Sequence, residues 1–245
     1  MIKRYTALLL AVCMALCAAA LPAAAVGSPL KPADEFDPVG HTFQNVHAAY
    51  MIEGGKASTT EFFTEAEFAL HELTVINLWD SACLFCRLEL PYFVEASEAY
   101  ADWGVAVFGA VSTRMGGTYA AAYDYVLEYG VTYPNLIVDD GLAEIIYQNA
   151  NTPQTFFVDS TGTVVGYVRG SVTYEELSAL IESFMICAGD ADESGEINFA
   201  DVSSIYMYSL GNAELTPRGK ANADVDGDGT VGFSDITVLY LSLIG

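Results

Sequence analysis

Positive charge is what this chain has least of. Nine Lys and Arg stand against 32 Asp and Glu in 245 residues, a formal net charge of −23. So acidic a surface argues against nucleic acid and anionic membranes as partners, since both attract a basic face. It permits bound calcium, whose ligands are oxygens. Cysteine is also scarce: there are five, and Cys13 and Cys17 lie in the N-terminal apolar run. Cys83, Cys86 and Cys187 alone are too few to staple a disulfide scaffold. Histidine is limited to His41, His47 and His71. The N-terminal apolar run is short for a membrane span and no other long apolar stretch follows, so no span is expected in the mature chain.

What is present begins with that run. Lys3 and Arg4 precede the uncharged "ALLLAVCMALCAAA", and small residues follow to Ala25. This is the pattern of a secretory signal peptide over residues 1–25, and it predicts a secreted protein. Its removal takes two cations and no acids, leaving −25. Residues 26–40 read as a linker, with Pro29, Pro32 and Pro38 among charges. Two domains are expected after it, over 41–187 and 188–245.

The first alternates strand-like and helix-like runs. "LTVINLW" (73–79) and "VAVFGAVS" (105–112) have the β-branched, apolar make-up of buried strands. A helix is expected from the cysteines to about Trp103. Another spans 119–130, its aromatic stripe read as core. "QTFFVDSTGTVVGYVRG" (154–170) reads as strand, turn, strand. "TYEELSALIESFM" opens with Thr173 and carries Glu176 three residues on, a capping box. The order predicts an α/β fold, a mixed sheet covered by helices. The stretch 43–62 reads as a hairpin leading into it.

The end of the chain repeats itself. "GDADESGEINFADVSSIYMYSLG" (189–211) aligns without gaps on "ADVDGDGTVGFSDITVLYLSLIG" (223–245). Counting from its first aspartate, each copy places oxygen-bearing residues at the spacing of a calcium loop. These are Asp190, Asp192, Ser194, Glu196, Asn198 and Asp201, and then Asp224, Asp226, Asp228, Thr230 and Asp235. Gly195 and Gly229 stand where such a loop turns sharply. Glu196 and Thr230 are expected to offer backbone carbonyls. Aspartate replaces the usual glutamate at the twelfth position, a shorter arm that draws in the following helix or weakens the site. The competing reading is an acidic surface turn. Val202, Ile205 and Tyr206 recur at Ile236, Leu239 and Tyr240, one helical face. No amphipathic helix is evident before the second loop, so each unit reads as loop then helix. This segment resembles a dockerin, a small all-α module that binds two calcium ions and docks onto cohesin domains of scaffold proteins. The resemblance implies cohesin contacts at Phe199, Ala200, Phe233 and Ser234; the alternative for the two phenylalanines is core.

Cys83 and Cys86 follow a buried strand and open a helix, where free N–H groups and the dipole favour a thiolate. Two intervening residues bring the sulfurs within bonding reach. Cys83 is expected to be the more exposed, to attack a substrate disulfide, and to be resolved by Cys86. Zinc is disfavoured because Cys187 lies about a hundred residues away and the histidines are scattered. A structural disulfide closing so short a loop would stabilise little. "INLWDSACLFCRLELP", "VAVFGAVS" and "NTPQTFFVDSTGTVVGYVRG" together resemble TlpA/ResA-type thioredoxin-fold oxidoreductases. The resemblance implies a redox-active Cys83–Cys86 disulfide and exchange with protein disulfides or dithiols. It also implies a cis Pro153 after Thr152, facing the pair and positioning substrate, and a buried Glu89 that assists proton transfer. Trp79 is expected beneath the site. Cys187, at the domain junction, reads as a buried thiol. The rival reading is a non-catalytic thioredoxin-like adaptor whose only activity is cohesin binding.

Overall fold

The computed structural model describes residues 36–245, so the signal peptide and residues 26–35 of the expected linker lie outside the described residues. The described chain divides into two compact units that part between Phe184 and Met185.

The larger unit contains β1 (His47–Ile52), β2 (Lys56–Thr64), β3 (Leu73–Asp80), α1 (Leu84–Ala99), β4 (Val105–Ser112), α2 (Tyr119–Glu128), β5 (Asn135–Ile137), α3 (Asp140–Ile146), β6 (Gln154–Asp159), β7 (Val164–Arg169) and α4 (Tyr174–Met185). One sheet holds all seven strands in the order β2-β1-β5-β4-β3-β6-β7. β3, β4 and β5 run parallel. β6 and β7 extend the sheet antiparallel on one side, and the β1–β2 hairpin does so on the other. This is the expected mixed sheet with flanking helices, a thioredoxin-like α/β fold. The sequence reading missed β5 and α3. β5 is three residues long, too short to show a period.

β3 is the central strand, and every residue of it is buried, as a strand covered on both faces requires. Its side chains alternate. Ile76 and Leu78 join Phe108, Leu136, Leu142 and Phe156 in one core cluster. Trp79 points the other way and packs with Cys83, Cys86, Leu90 and Val111. α2 contributes Ala122 to that second cluster, and Tyr119 and Tyr125 on it and Tyr129 at its C-terminal end are only half-buried against it. α4 opens with the capping box read from the sequence: Glu176 N–H donates to Thr173 Oγ1 (3.2 Å) and Thr173 N–H to Glu176 Oε2 (2.9 Å). Residues 36–40, read as linker, lie against the sheet, where Gly40 N–H donates to Val164 O.

The smaller unit holds α5 (Phe199–Ser209), α6 (Pro217–Ala223) and α7 (Phe233–Ile244). Ile205 and Leu239, equivalent positions of the repeat, meet in its core with Ala191 and Ala223. α6 corrects the sequence reading of loop then helix alone. "PRGKANA" carries no apolar stripe, yet Thr216 caps it through Gly219 N–H and Pro217 occupies its first turn. Cys187, expected to be a buried thiol, is half-buried and disulfide-bonded rather than a free thiol.

One glycine is fixed by packing. Gly109 on β4 pairs with Asn135 on β5, and a Cβ there would overlap Asn135 Oδ1 and press on Trp79 Nε1. Those two atoms share a buried hydrogen bond of 2.9 Å, donated by the indole. Gly109→Ala should therefore destabilise the larger unit by about 2–4 kcal/mol through overpacking and a lost buried bond. Urea unfolding followed by tryptophan fluorescence reads the change.

Candidate functional site

The turn from β3 into α1 is built by one carboxylate. Asp80 is buried at the strand's end; its Oδ1 accepts from Ala82 N–H and its Oδ2 from Met115 N–H, both at 2.9 Å. Cys83 then becomes the N-cap of α1, with extended backbone and its Sγ accepting from Cys86 N–H at 3.2 Å. A sulfur thus takes the place of the oxygen that usually satisfies a free N–H at a helix start. When the sulfur is a thiolate, the same N–H and the helix dipole stabilise its charge. Cys83 and Cys86 form a disulfide, with Cα atoms 5.3 Å apart.

Cys83 is 6% exposed and Cys86 fully buried. The order is the expected one, but Cys83 is more covered than a sulfur open to solvent. The cover comes from packing with Trp79, Leu90 and Val111 below and from the β6 approach: Cys83 Sγ lies 3.6 Å from Thr152 O. The Thr152–Pro153 peptide is cis. Thr152 Oγ1 donates to Met115 Sδ at 2.9 Å, which brings a third loop to the rim. So Cys83, Cys86, Thr152 and Pro153 converge at one end of the sheet.

Glu89 lies one turn further along α1 and is 1% exposed. Asn77 Nδ2 donates to its Oε1 at 2.8 Å, and Val172 N–H donates to its Oε2 at 3.1 Å. Burial pushes its carboxyl up to about 7, against the pull of those two donors. Asn77 Oδ1 is buried without a partner among the described residues. Tyr133, also buried, faces the same carboxyl, and its hydroxyl is pushed up by burial and by Glu89. Sequence reasoning missed Asn77, Val172 and Tyr133. Only Asn77 left a signal, as the one polar side chain inside "VINLW". It missed Arg87 as well, the cation next to Cys86, which donates to Tyr125 OH and sits over that ring at 4.6 Å.

The repeat's loops gather carboxylates. Ligand atoms of Asp190, Asp192 and Asp201 lie within 4.8 Å of one another, as do those of Asp224, Asp226 and Asp235. Burial raises the carboxyls of Asp190 and Asp201, and Asp192 beside them adds repulsion. Asp224 Oδ1 is buried and unpartnered among the described residues. A hard divalent cation offsets both costs, so the residues present fit calcium. Asp201 and Asp235, at the twelfth position, are fully buried. Asp201 Oδ2 accepts from Asn198 N–H and Asp235 Oδ2 from Gly232 N–H, each at 2.8 Å. The short aspartate arm therefore holds the loop's end onto the following helix. Ser194 N–H donates to Asp190 and Asp192, Asn198 caps α5, and Ser194 Oγ reaches Glu196 O. Asp228 is exposed and accepts from the Thr230 amide and hydroxyl. Phe199, Ala200, Phe233 and Ser234 are all exposed. Phe199 meets Tyr240 at a tilt with ring centroids 5.9 Å apart, and Phe233 meets Tyr206 edge-on at 6.2 Å, each pair crossing between the repeats.

Fold and sites define a thioredoxin-fold domain bearing a CxxC disulfide, followed by a duplicated calcium-loop module. Residues 188–243 match the model of the dockerin type I domain. The thiol-disulfide oxidoreductase ResA of Oceanobacillus iheyensis is 25% identical over 107 residues, 44% of this chain and 54% of that protein. ResA of Bacillus subtilis is 26% identical over 120 residues, 49% of this chain and 63% of that one. The chain thus spans less than two thirds of the length of these curated relatives. The crystal structure of StoA from Bacillus subtilis is 20% identical, covering 60% of this chain and 100% of that one with a TM-score of 0.45. The chain is a fusion of a ResA-like thioredoxin-fold domain with a dockerin type I domain, and the dockerin implies calcium binding. Among the described residues no helix is long and apolar enough to cross a membrane.

Glu89 gives a pH test. Its folded pKa of about 7 exceeds the ordinary 4.5. Below pH 4.5 both states are protonated and there is no cost. Stability falls as pH rises from 4.5 through 7, where the unfolded chain releases the proton first, and the cost is complete above 7. Relative to Glu89→Gln, the wild-type domain should lose about 3 kcal/mol between pH 4.5 and 8. Paired urea titrations at the two pH values measure the difference.

Proposed function

We propose that this chain is a secreted thiol–disulfide oxidoreductase that acts on protein disulfides and is carried on a scaffold by its dockerin. The observation that carries the reading is the placing of Cys83 Sγ: it accepts Cys86 N–H at the mouth of α1 and lies beside Thr152 O.

Cys83 is the nucleophile in the dithiol form. Its thiolate attacks one sulfur of a substrate disulfide, and the other substrate sulfur leaves as a thiolate. Cys86, loaded as thiolate, then attacks Cys83 Sγ and releases the second substrate thiol. The protein ends oxidised by two electrons and the substrate reduced. The reverse sequence oxidises a substrate dithiol with the same atoms. Glu89, with a pKa near neutrality, takes up or returns the proton of the buried cysteine. Pro153 has no N–H, and Thr152 offers its carbonyl to an incoming chain.

In the dockerin, the two carboxylate groups hold two calcium ions, with Ser194, Glu196, Asn198, Asp228 and Thr230 completing the loops. Calcium supplies charge balance and a fixed loop shape. The exposed crossed pairs of Phe and Tyr form the cohesin-binding face, which is how the enzyme joins a cellulosome-type scaffold.

The near-complete cover of Cys83 favours the rival reading, an inert adaptor whose only activity is cohesin binding. Turnover separates the two. With insulin as substrate and dithiothreitol as reductant, the wild type should exceed Cys83→Ser by at least about a hundredfold; equal rates remove the enzyme reading. For the dockerin, an immobilised cohesin panel should retain the chain in calcium and release it in EGTA. Retention by no cohesin, or retention indifferent to chelator, contradicts the docking role.

A further inference from the structure

α1 has two apolar faces, and only one is used by the core. Cys86, Leu90, Phe93 and Ala96 are buried. On the opposite side Leu84, Phe85, Leu88, Pro91 and Tyr92 are exposed, with Phe85 at 64%. No exposed charge interrupts them until Glu95, on a chain where acids outnumber bases 32 to 9. Met115, exposed and touched by Thr152 Oγ1, closes the rim on the far side of Cys83.

The position of this rim says what covers it. Exchange passes through a covalent bond between Cys83 Sγ and a substrate sulfur. Consecutive residues of an extended chain are at most about 3.6 Å apart, so substrate residues within two of the reacting cysteine lie over Leu84, Phe85 and Met115. Leu88 is one helical turn beyond. Polar neighbours would leave those side chains wet or be dehydrated against them; large apolar neighbours are buried.

Resting on the exchange reading, we propose that this rim selects substrates whose reacting cysteine has a large aliphatic or aromatic side chain within two residues. The partner is an extended, apolar-flanked cysteine segment of an incompletely folded protein. Phe85 and Leu88 are the specificity-determining residues.

The test uses the full calcium-loaded chain, reduced with dithiothreitol and then freed of it. Two peptide disulfides serve as probes, each the disulfide-linked dimer of a heptapeptide with one central cysteine. In one the cysteine is flanked by leucine and phenylalanine, in the other by serine on both sides. Cys83 breaks the peptide S–S bond and Cys86 releases the second peptide thiol, so the protein dithiol supplies both electrons. Single-turnover rates are taken by acid quench and chromatography. The apolar peptide should react about tenfold faster, and Phe85→Ser/Leu88→Ser should bring the ratio within about twofold. Both residues are exposed, and the ratio is insensitive to any shift in redox potential, which acts on both probes alike. Equal wild-type rates for the two peptides overturn this inference and leave exchange standing. Reduction of neither peptide overturns exchange and the inference with it. A wild-type dimer in sedimentation that the double substitution dissociates, with no peptide preference, assigns the rim to a second copy and also overturns it.

Discussion

The hydrogen bond from Cys86 N–H to Cys83 Sγ is the contact around which the rest of the larger domain is arranged. It exists only if a strand ends, a turn reverses, and a helix begins with cysteine as its cap. β3 supplies the buried strand. Asp80 fixes the turn by taking two backbone N–H groups, one from the turn itself and one from the loop carrying Met115. The β6 approach then brings the Thr152 carbonyl against the same sulfur. Three loops thus meet around this pair at one end of the sheet, and the Cys86 sulfur is sealed beneath Cys83.

Burial does different work at the three acidic sites. At Glu89 it lifts a carboxyl to about 7, because two N–H donors offset only part of the lost hydration. The result is a group that exchanges protons near neutrality. At Asp80 two backbone donors hold the carboxylate, and its role is to shape the turn. In the calcium loops several carboxylates crowd together, a cost that an ion offsets. The aspartates at the twelfth position tie each loop to its helix through the helix's own first N–H groups.

Much of this was legible in the sequence, and the rest was hidden for physical reasons. β3 and β4 announce themselves because strands buried on both faces are continuous apolar runs. The calcium loops are visible because coordination imposes a fixed spacing, and the duplication displays it twice. The cysteine pair is visible because two sulfurs one turn apart are within disulfide-bonding reach. The setting of Glu89 was not legible in the residues themselves, since its partners Asn77 and Val172 stand 12 and 83 residues away. β5 was too short to read, and α6 is held by its cap and loop contacts rather than by an apolar stripe. The resemblance placed the Thr152–Pro153 corner opposite the pair, but how fully it and the packing of Trp79, Leu90 and Val111 cover Cys83 shows only in the fold.

The most direct test is alkylation of the dithiol form by limiting iodoacetamide, with the modified residue located by mass spectrometry. The account predicts that, of this pair, Cys83 carries the carbamidomethyl group, with Cys86 reacting only after unfolding. Labelling of Cys86 first, or of both cysteines at equal rates, would contradict it.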